Sequence, residues 1–582
     1  MADLCVSVVL LFLLEAASWR FVLSASIQQM KNLFPFQLFL NLLVLISFIQ
    51  LIRFLNPLGR FSRSLVFAVG VFLALANYLK TLYLGRPLEV SDVYLLKHGS
   101  LLLRYAEPLI PLVALGAGGL TLVAVWKGRF RNLKITLPGR LRTAAFFGAI
   151  TVVLGLVYFR ELGLADTLAK NGVQTVVWNR SLDVSQNGFL VSSLASVRLN
   201  AISRPTGYSE ESVSEVLVRT PGSALWKKPG KQRRRGPNVV LVLMESMWDP
   251  AVAGLQMKDD PLKNFKRLGR QGAAGTFVTP VFGGGTANAG FEILTGLSTR
   301  FIPPGSIAFQ QFVHQRLGSL ADGFSRAGYD VFSLHNWDRK FWRRDEVLPL
   351  LGIDRFVGID ELSPEWGNGF PDDKIVFDRT LEAIRTSKQP VFSYLITIST
   401  HGPYELSGYV KAMRKLDQRL GEFTAELKKH DEETVVVVFG DHLPVLGGDF
   451  GTYVKSGFIS SSAMKSWNIE ESLKMHSTPL LAWSNKRNLG ARVHKPWRVS
   501  ANYLGLDVLR FAGIEANTSF LRYLTQLRRR FPVIHPDFLI DSDGNAFDLD
   551  SHLNQDLSDY GLLFYDRMFG KNFSSSKRAA FP

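Results

Sequence analysis

Four stretches of this chain end in side chains that can hold a cation or move a proton. The β-branched run Asn238–Met244 is followed by Glu245 and Ser246, Tyr329–Leu334 by His335, Val391–Ile396 by Thr400, His401 and Gly402, and Thr434–Gly440 by Asp441 and His442. Taken one at a time these residues have plainer readings, since a Glu after a strand can cap the next helix and a lone His near a turn is commonly structural. The chain has 1 cysteine, Cys5, so neither an intrachain disulfide nor a cysteine-based zinc site is open to it. A metal would have to sit on His, Asp, Glu or a hydroxyl oxygen. A hydroxyl of that kind stands in Gly283-Gly284-Gly285-Thr286-Ala287-Asn288. The glycines allow close backbone approach, and a helix opening at Thr286 would turn its N–H groups toward an anion such as phosphate. Thr286 alone reads equally well as a helix cap. Beside a cation held by Glu245, Asp441 and His442, it reads as a nucleophile.

These groups can act together only if the chain brings the run ends to one place. From Asn238 onward, short β-branched runs alternate with helix-like segments, which predicts a largely parallel sheet sandwiched by helices. In such sheets ligands bind beyond the carboxyl ends of the strands, where all four run ends would lie.

The first 160 residues have a different character. Apolar stretches at 4–25, 33–54, 65–83, 101–126 and 143–160 each approach the ~20 residues that cross ~30 Å of hydrocarbon as a helix. Lys127, Arg129, Arg131, Lys134, Arg140 and Arg142 follow the fourth stretch, and Arg53, Arg60 and Arg63 lie around the end of the second. The positive-inside rule puts both loops in the cytoplasm and sends the chain after the fifth stretch outward. Much of the formal +17 charge is thereby assigned to topology, and nucleic-acid binding is not expected. The expected organisation is a five-helix transmembrane domain over 1–160, a juxtamembrane connector over 161–236, and an extracytoplasmic catalytic domain over 237–582. The connector ends in the basic run Lys227 to Arg235, read as a solvated linker.

With these residues in place, the chain resembles the alkaline-phosphatase/sulfatase superfamily, and within it the membrane-bound lipoteichoic-acid-synthase type of phosphoglycerol transferase. Glu245, Thr286 with the following Phe291-Glu292-Ile293-Leu294-Thr295-Gly296-Leu297, and Asp441-His442 carry the resemblance. So do His335, Phe341-Trp342-Arg343-Arg344-Asp345, Ser399 to Tyr404, and the closing Tyr565 to Lys571. The resemblance implies an alkaline-phosphatase-like fold with one divalent ion, usually manganese, on Glu245, Thr286, Asp441 and His442. From the ligand types alone, magnesium or zinc would serve as well. It also implies that Thr286 becomes covalently phosphoglycerylated, that His335, Trp342 and Arg344 line the headgroup, and that His401 contacts the phosphoryl group or assists the leaving hydroxyl. His476 reads as structural.

The expected activity is transfer of a phosphoglycerol headgroup from an anionic phospholipid, phosphatidylglycerol, to an envelope glycan or glycolipid. The expected location is the bacterial plasma membrane, multi-pass, with the catalytic domain outside the cytoplasm. A phosphoethanolamine transferase using phosphatidylethanolamine is the alternative, because His401-Gly402-Pro403-Tyr404 also occurs in those enzymes. They usually carry several periplasmic disulfides, which this chain cannot form. A non-catalytic membrane-anchored envelope factor is the second alternative, against which stands the presence of all four metal-site residues.

Overall fold

The computed structural model describes residues 2–18, 35–55, 62–84, 87–88, 139–158, 162–173, 180–199, 202, 204–219, 236–303, 306–366, 370–402, 405–447, 451–461, 467–493, 496–515, 518–548 and 555–575. They divide into two compact units: Met1–Ile202 with Ile302–Ser306, and Ser203–Phe301 with Ile307–Pro582. The expected connector is shared between them, its first part grouping with the helical unit.

In the first unit, helices Ala2–Ser18, Pro35–Leu55, Ser62–Leu84 and Gly139–Val157 occupy four of the five apolar stretches. The fourth stretch, 101–126, lies outside the described residues. Over the described residues, none of these helices is long and apolar enough to cross a membrane. Their side chains are distributed in an unusual way: Glu15, Gln37, Asn41 and Asn77 are fully buried, whereas Phe39, Phe72 and Phe147 stand well exposed. Of these, Glu15, Asn41 and Asn77 make hydrogen bonds through their side chains. Asn41 accepts from the backbone N–H groups of Leu190 and Val191, and Glu15 accepts from that of Phe189 at 2.6 Å. Together they satisfy the N-terminal donors of helix Phe189–Leu199, which its own turns leave unpaired.

The second unit is built on an eight-stranded sheet in the order β4-β3-β5-β1-β6-β7-β2-β8. The strands are β1 (Asn238–Met244), β2 (Ala273–Val278), β3 (Asp330–His335), β4 (Arg355–Val357), β5 (Val391–Ile396), β6 (Thr434–Gly440), β7 (Ser477–Ser484) and β8 (Arg498–Ser500). Only β7 runs antiparallel to its neighbours, so the sheet is mostly parallel, as its β-branched runs predict. Every residue of β1, β5 and β6 is buried, which requires cover on both faces. On one face lies helix Leu406–Lys428, whose buried Tyr409, Met413, Leu416, Leu420, Phe423 and Leu427 recur every three or four residues and pack with Val240, Val242 and Met244. On the other, Phe324 stacks on Phe392 of β5 with ring centroids 4.0 Å apart. Helix Thr286–Thr295 packs there against helix Ala501–Ala512. A Cβ at Gly505 would come within 2.8 Å of the Ile293 carbonyl oxygen, so this approach needs glycine.

The register decides which residues meet at the sheet edge. His335 pairs with Ile396, Leu243 with both Ile396 and Phe439, and Met244 with Gly440. The residues that follow, Glu245, Thr397 and Asp441, therefore leave three adjacent parallel strands at one level.

Candidate active site

The edge brings Glu245, Asp441 and His442 together, with one ligand-capable atom of each within 4.8 Å of the others. All three are buried. The Nε2 of His442 lies 3.5 Å from Glu245 Oε1 and 3.3 Å from Asp441 Oδ2. Its Nδ1 meets the Leu443 carbonyl at 2.9 Å, which fixes a tautomer with the proton on Nδ1 and leaves the Nε2 lone pair facing the carboxylates. Oδ2 of Asp441 is buried and has no hydrogen-bond partner among the described residues. Burial and then the nearby Glu245 charge push the Asp441 carboxyl up to about 7. For His442, burial pulls the imidazole down, but the Asp441 and Glu245 carboxylates outweigh it and the net shift is upward. Two buried carboxylates and an imidazole lone pair aimed at one point suit a hard or borderline divalent cation. The partnerless Oδ2 is the atom such an ion would satisfy.

Thr286 is the first residue of helix Thr286–Thr295, and its hydroxyl donates to Glu245 Oε2 at 3.4 Å. Gly283, Gly284 and Gly285 before it have φ of 64°, 148° and 85°, a succession that only glycine adopts cheaply. This turn sets the hydroxyl, the helix N-terminus and its N–H groups on the side where the carboxylates converge.

Several groups that hold the triad have no role in the motif reading, which names Ser246 and Thr400 at strand ends and passes over Thr279 and Thr397. Ser246, directly after Glu245, has φ 51°, a conformation that costs a non-glycine residue about 1–3 kcal/mol. Its N–H donates to Asp441 Oδ1 at 2.7 Å and its hydroxyl to Glu245 Oε1 at 2.9 Å, so one strained residue positions both acids. Thr397 Oγ1 accepts from the Glu245 N–H at 2.9 Å, while the Thr400 hydroxyl donates to the Glu245 carbonyl. The Thr279 hydroxyl does the same for the Asp441 carbonyl. The sequence signal for all four is a hydroxyl residue within a few positions of a strand end, which is too common to assign any of them this role.

The remaining sequence-predicted residues surround this centre. His335, 1 % exposed, meets the Ile396 carbonyl through Nδ1 at 2.9 Å, and its Nε2 has no hydrogen-bond partner among the described residues. Burial, reinforced by the Arg344 cation, holds its pKa well below the ordinary histidine value, so the ring is neutral and offers a lone pair. Arg344 is buried, its pKa drawn down to about 10 by burial while Tyr394, Glu245 and Asp441 oppose the shift. It remains a cation in the field of the two acids. Trp342 and Arg343 both take left-handed φ, 61° and 54°, immediately before it. Arg343 anchors that turn by donating to the Phe309 and Gln310 carbonyls. His401, half-buried after β5, meets the Gly402 carbonyl through Nδ1 at 3.0 Å. Its segment is held by Asp373, which accepts from the Ile398 and Ser399 N–H groups and whose carboxyl burial raises to about 6. His476 stands apart from the triad: its Nδ1 meets the Ser472 carbonyl at 2.7 Å, and its ring packs 4.3 Å from that of His535. With Asp537 these two histidines form a second group of potential ligands; burial holds both imidazoles below the ordinary histidine value, the Asp537 N–H donates to His535 Nδ1, and His535 Nε2 has no hydrogen-bond partner among the described residues.

Comparison with known proteins agrees with this architecture. The sulfatase family model matches residues 237–514. A putative cyclic beta-1,2-glucan modification protein of Rhizobium meliloti is 28% identical over 502 residues, covering 80% of this chain and 74% of that protein. The lipoteichoic acid synthase of Staphylococcus saprophyticus is 30% identical over 151 residues, 22% of this chain and 23% of the synthase, so the match spans about a quarter of that relative. The phosphoglycerol transferase GacH of Streptococcus pyogenes, solved with sn-glycerol-1-phosphate, superposes with a TM-score of 0.52 at 20% identity, covering 66% of this chain and 99% of that structure. Residues 237–514 thus match the sulfatase family model, and the mostly parallel α/β sheet has the fold seen in the GacH structure.

Proposed function

We propose that this protein is a metal-dependent phospholipid-headgroup transferase that moves phosphoglycerol from phosphatidylglycerol to a hydroxyl of an envelope glycan or glycolipid, through a phosphothreonine at Thr286. The observation that carries the reading is the Thr286 hydroxyl at 3.4 Å from Glu245 Oε2, at a helix N-terminus beside Asp441 and His442. Glu245, Asp441, His442 and Thr286 would hold a divalent ion, manganese by the family resemblance, which supplies Lewis acidity and favours the alkoxide form of the threonine. In the first step the Thr286 oxygen bonds to phosphorus and the phosphorus–diacylglycerol oxygen bond breaks in line. The diacylglycerol oxygen leaves as a hydroxyl, taking a proton that His401 delivers. In the second step the acceptor hydroxyl attacks the phosphothreonine, losing its proton to the same histidine and releasing Thr286. Arg344 binds phosphate oxygens through its donor fork, and the His335 Nε2 lone pair accepts from a glycerol hydroxyl.

In this reading the first unit anchors the catalytic unit to the lipid that supplies the donor, with five spans and the catalytic unit outside the cytoplasm. Its apolar stretches support anchorage, and so does the reversal in which Glu15, Asn41 and Asn77 are buried while Phe39, Phe72 and Phe147 are exposed, as expected of helices facing hydrocarbon.

The test is mass spectrometry of the Thr286 peptide after incubation with phosphatidylglycerol and phosphatidylethanolamine in separate vesicles. A phosphoglycerol adduct from the first alone is expected. A phosphoethanolamine adduct would replace the donor, and native-rate diacylglycerol release by Thr286→Ala would end the covalent scheme. For the native threonine that variant should lose at least about 10³-fold in rate.

A further inference from the structure

Aromatic side chains line one rim of the proposed active site and follow on from one another. Trp337 comes two residues after His335, and its ring lies 5.4 Å from Phe370, whose own ring lies 5.2 Å from His401. Trp366 packs on the other side of Trp337 at 6.4 Å and is 63 % exposed. Among the described residues of the second unit, it is the one aromatic side chain exposed to that extent. Successive rings are tilted by 49° to 64°, which makes a stepped surface rather than a flat one.

The surface is held in place from both strand ends. A bridge pairs Trp366 with Pro371, and the Asp372 N–H donates to the Glu365 carbonyl at 2.7 Å. The Asn336 amide donates to the Asp372 carbonyl, and the Asp372 carboxylate is gripped by Arg419 and Lys415. That pairing holds the carboxyl far below its usual range despite burial, so the clamp persists across physiological pH. An exposed tryptophan kept at a fixed position beside a reactive centre is preorganised for a ligand with an apolar face.

The geometry points to a carbohydrate subsite: Trp366, Trp337 and Phe370 form a stacking platform for the sugar rings of a neutral glycan acceptor, leading its hydroxyl toward His401. A pyranose ring offers a patch of C–H groups to the electron-rich face of an indole, while its hydroxyls remain at the edge for solvent and polar neighbours. The surroundings favour such a ligand over an anionic lipid surface. Glu365 adjoins Trp366, and Asp360 and Glu361 pair with Arg339 nearby in the chain, so the rim has no surplus of cations to meet lipid phosphates. This inference rests on the transferase reading above and gives it an acceptor class.

The experiment uses the full chain in mixed vesicles of fluorescent phosphatidylglycerol, with a neutral β-glucan oligosaccharide as acceptor probe. For Trp366→Ala, KM for the oligosaccharide should rise about tenfold with kcat little changed, and diacylglycerol release with water as the sole acceptor should stay at the native rate. Trp366→Phe should recover most of the loss. Quenching of intrinsic fluorescence by the oligosaccharide, measured without lipid, should fall in Trp366→Ala. An unchanged KM overturns the platform, and so does an equal loss of water-supported diacylglycerol release, which would make Trp366 a lipid contact. If the native protein releases no diacylglycerol, the transferase reading fails, and the quenching measurement still decides whether sugar binds at Trp366.

Discussion

Asp441 and Asp507 are both almost fully buried in the second unit, and their surroundings have opposite consequences. Asp507 accepts from Trp497 Nε1 at 3.0 Å, from Arg510 at 2.7 Å and from both terminal nitrogens of Arg528 at 2.9 and 2.8 Å. Burial raises its carboxyl, but the two guanidiniums overcome this and hold it below the ordinary value. Asp441 has Glu245 beside it, an Oδ2 without a hydrogen-bond partner, and a carboxyl pushed up to about 7. One site satisfies its charge within the chain and contributes to structure. The other leaves its charge to be satisfied by something from outside, as a centre that binds an ion and reacts must do.

The comparison breaks most decisively through activity. Asp441→Asn should lower headgroup transfer by at least about 10³-fold, near 4 kcal/mol of transition-state stabilisation, because the cation loses a charged ligand. In metal-free protein the same change should leave the melting temperature unchanged or higher, since it removes repulsion with Glu245. Asp507→Asn should do the reverse. It leaves two half-buried guanidiniums underpaired around a buried side chain and should cost about 3 kcal/mol of folding stability, while the fraction that remains folded keeps its native kcat. A stability loss in Asp441→Asn as large as that in Asp507→Asn, read by denaturant melts, would erase the distinction.

Metal addition sharpens the same contrast at smaller scale. Manganese at 100 times its Kd should stabilise the native protein by about 2.7 kcal/mol, and Asp507→Asn by the same increment above its lower baseline. Asp441→Asn should show little gain in a thermal-shift titration. An equal gain in Asp441→Asn would place the stabilising ion elsewhere.

The strand-end acids and histidines were legible in the sequence because seven-residue runs such as Thr434–Gly440 can only be buried strands, and a parallel sheet brings their ends to one edge. Thr286 was legible for a related reason, since three glycines before a hydroxyl demand a turn that few other sequences make. The antiparallel β7 and the short β8 carry no such run pattern, and their places follow from pairing partners far away in the chain. The groups that hold the triad were hidden for the same physical reason. Ser246 shows its importance through its left-handed backbone and its bonds to Asp441 and Glu245, and Thr279, Thr397 and Thr400 act through single bonds to backbone groups 152 to 162 residues away. The Trp366 platform is similar, because it is a property of which rings meet across two loops and not of either loop by itself.

A change of pH separates the two aspartates by sign. A carboxyl raised in the folded state contributes stability below its unfolded pKa, about 3.9, and loses that contribution as pH rises through the folded value. Metal-free native protein should therefore lose stability relative to Asp441→Asn between about pH 4 and pH 7. For Asp507, whose carboxyl is lowered, the contribution is present above about 3.9 and is lost as pH falls through the depressed value. The difference between native protein and Asp507→Asn should thus shrink on acidification. Melting temperatures of the three proteins from pH 4 to pH 8 read both trends, and parallel curves for native protein and Asp441→Asn would show that the triad is not frustrated.

The smallest effect is expected in the first unit, where a third buried carboxylate resembles Asp507 in accepting from a group of the chain. Glu15 accepts from the Phe189 N–H at the start of helix Phe189–Leu199, so Glu15→Gln keeps an acceptor oxygen and loses only the attraction between a negative charge and the helix dipole. That change should cost about 0.3–1 kcal/mol, rising to about 2 kcal/mol where the terminus is shielded from water. Glu15→Ala also removes the acceptor and leaves a buried N–H unpaired, a further cost of about 1–3 kcal/mol. The ordering native, Gln, Ala in a thermal melt of the full chain is thus the expected result, with diacylglycerol release unchanged in both variants. If Glu15→Gln abolished release while its melt stayed native, Glu15 would belong with Asp441, as a charge kept for use rather than for structure.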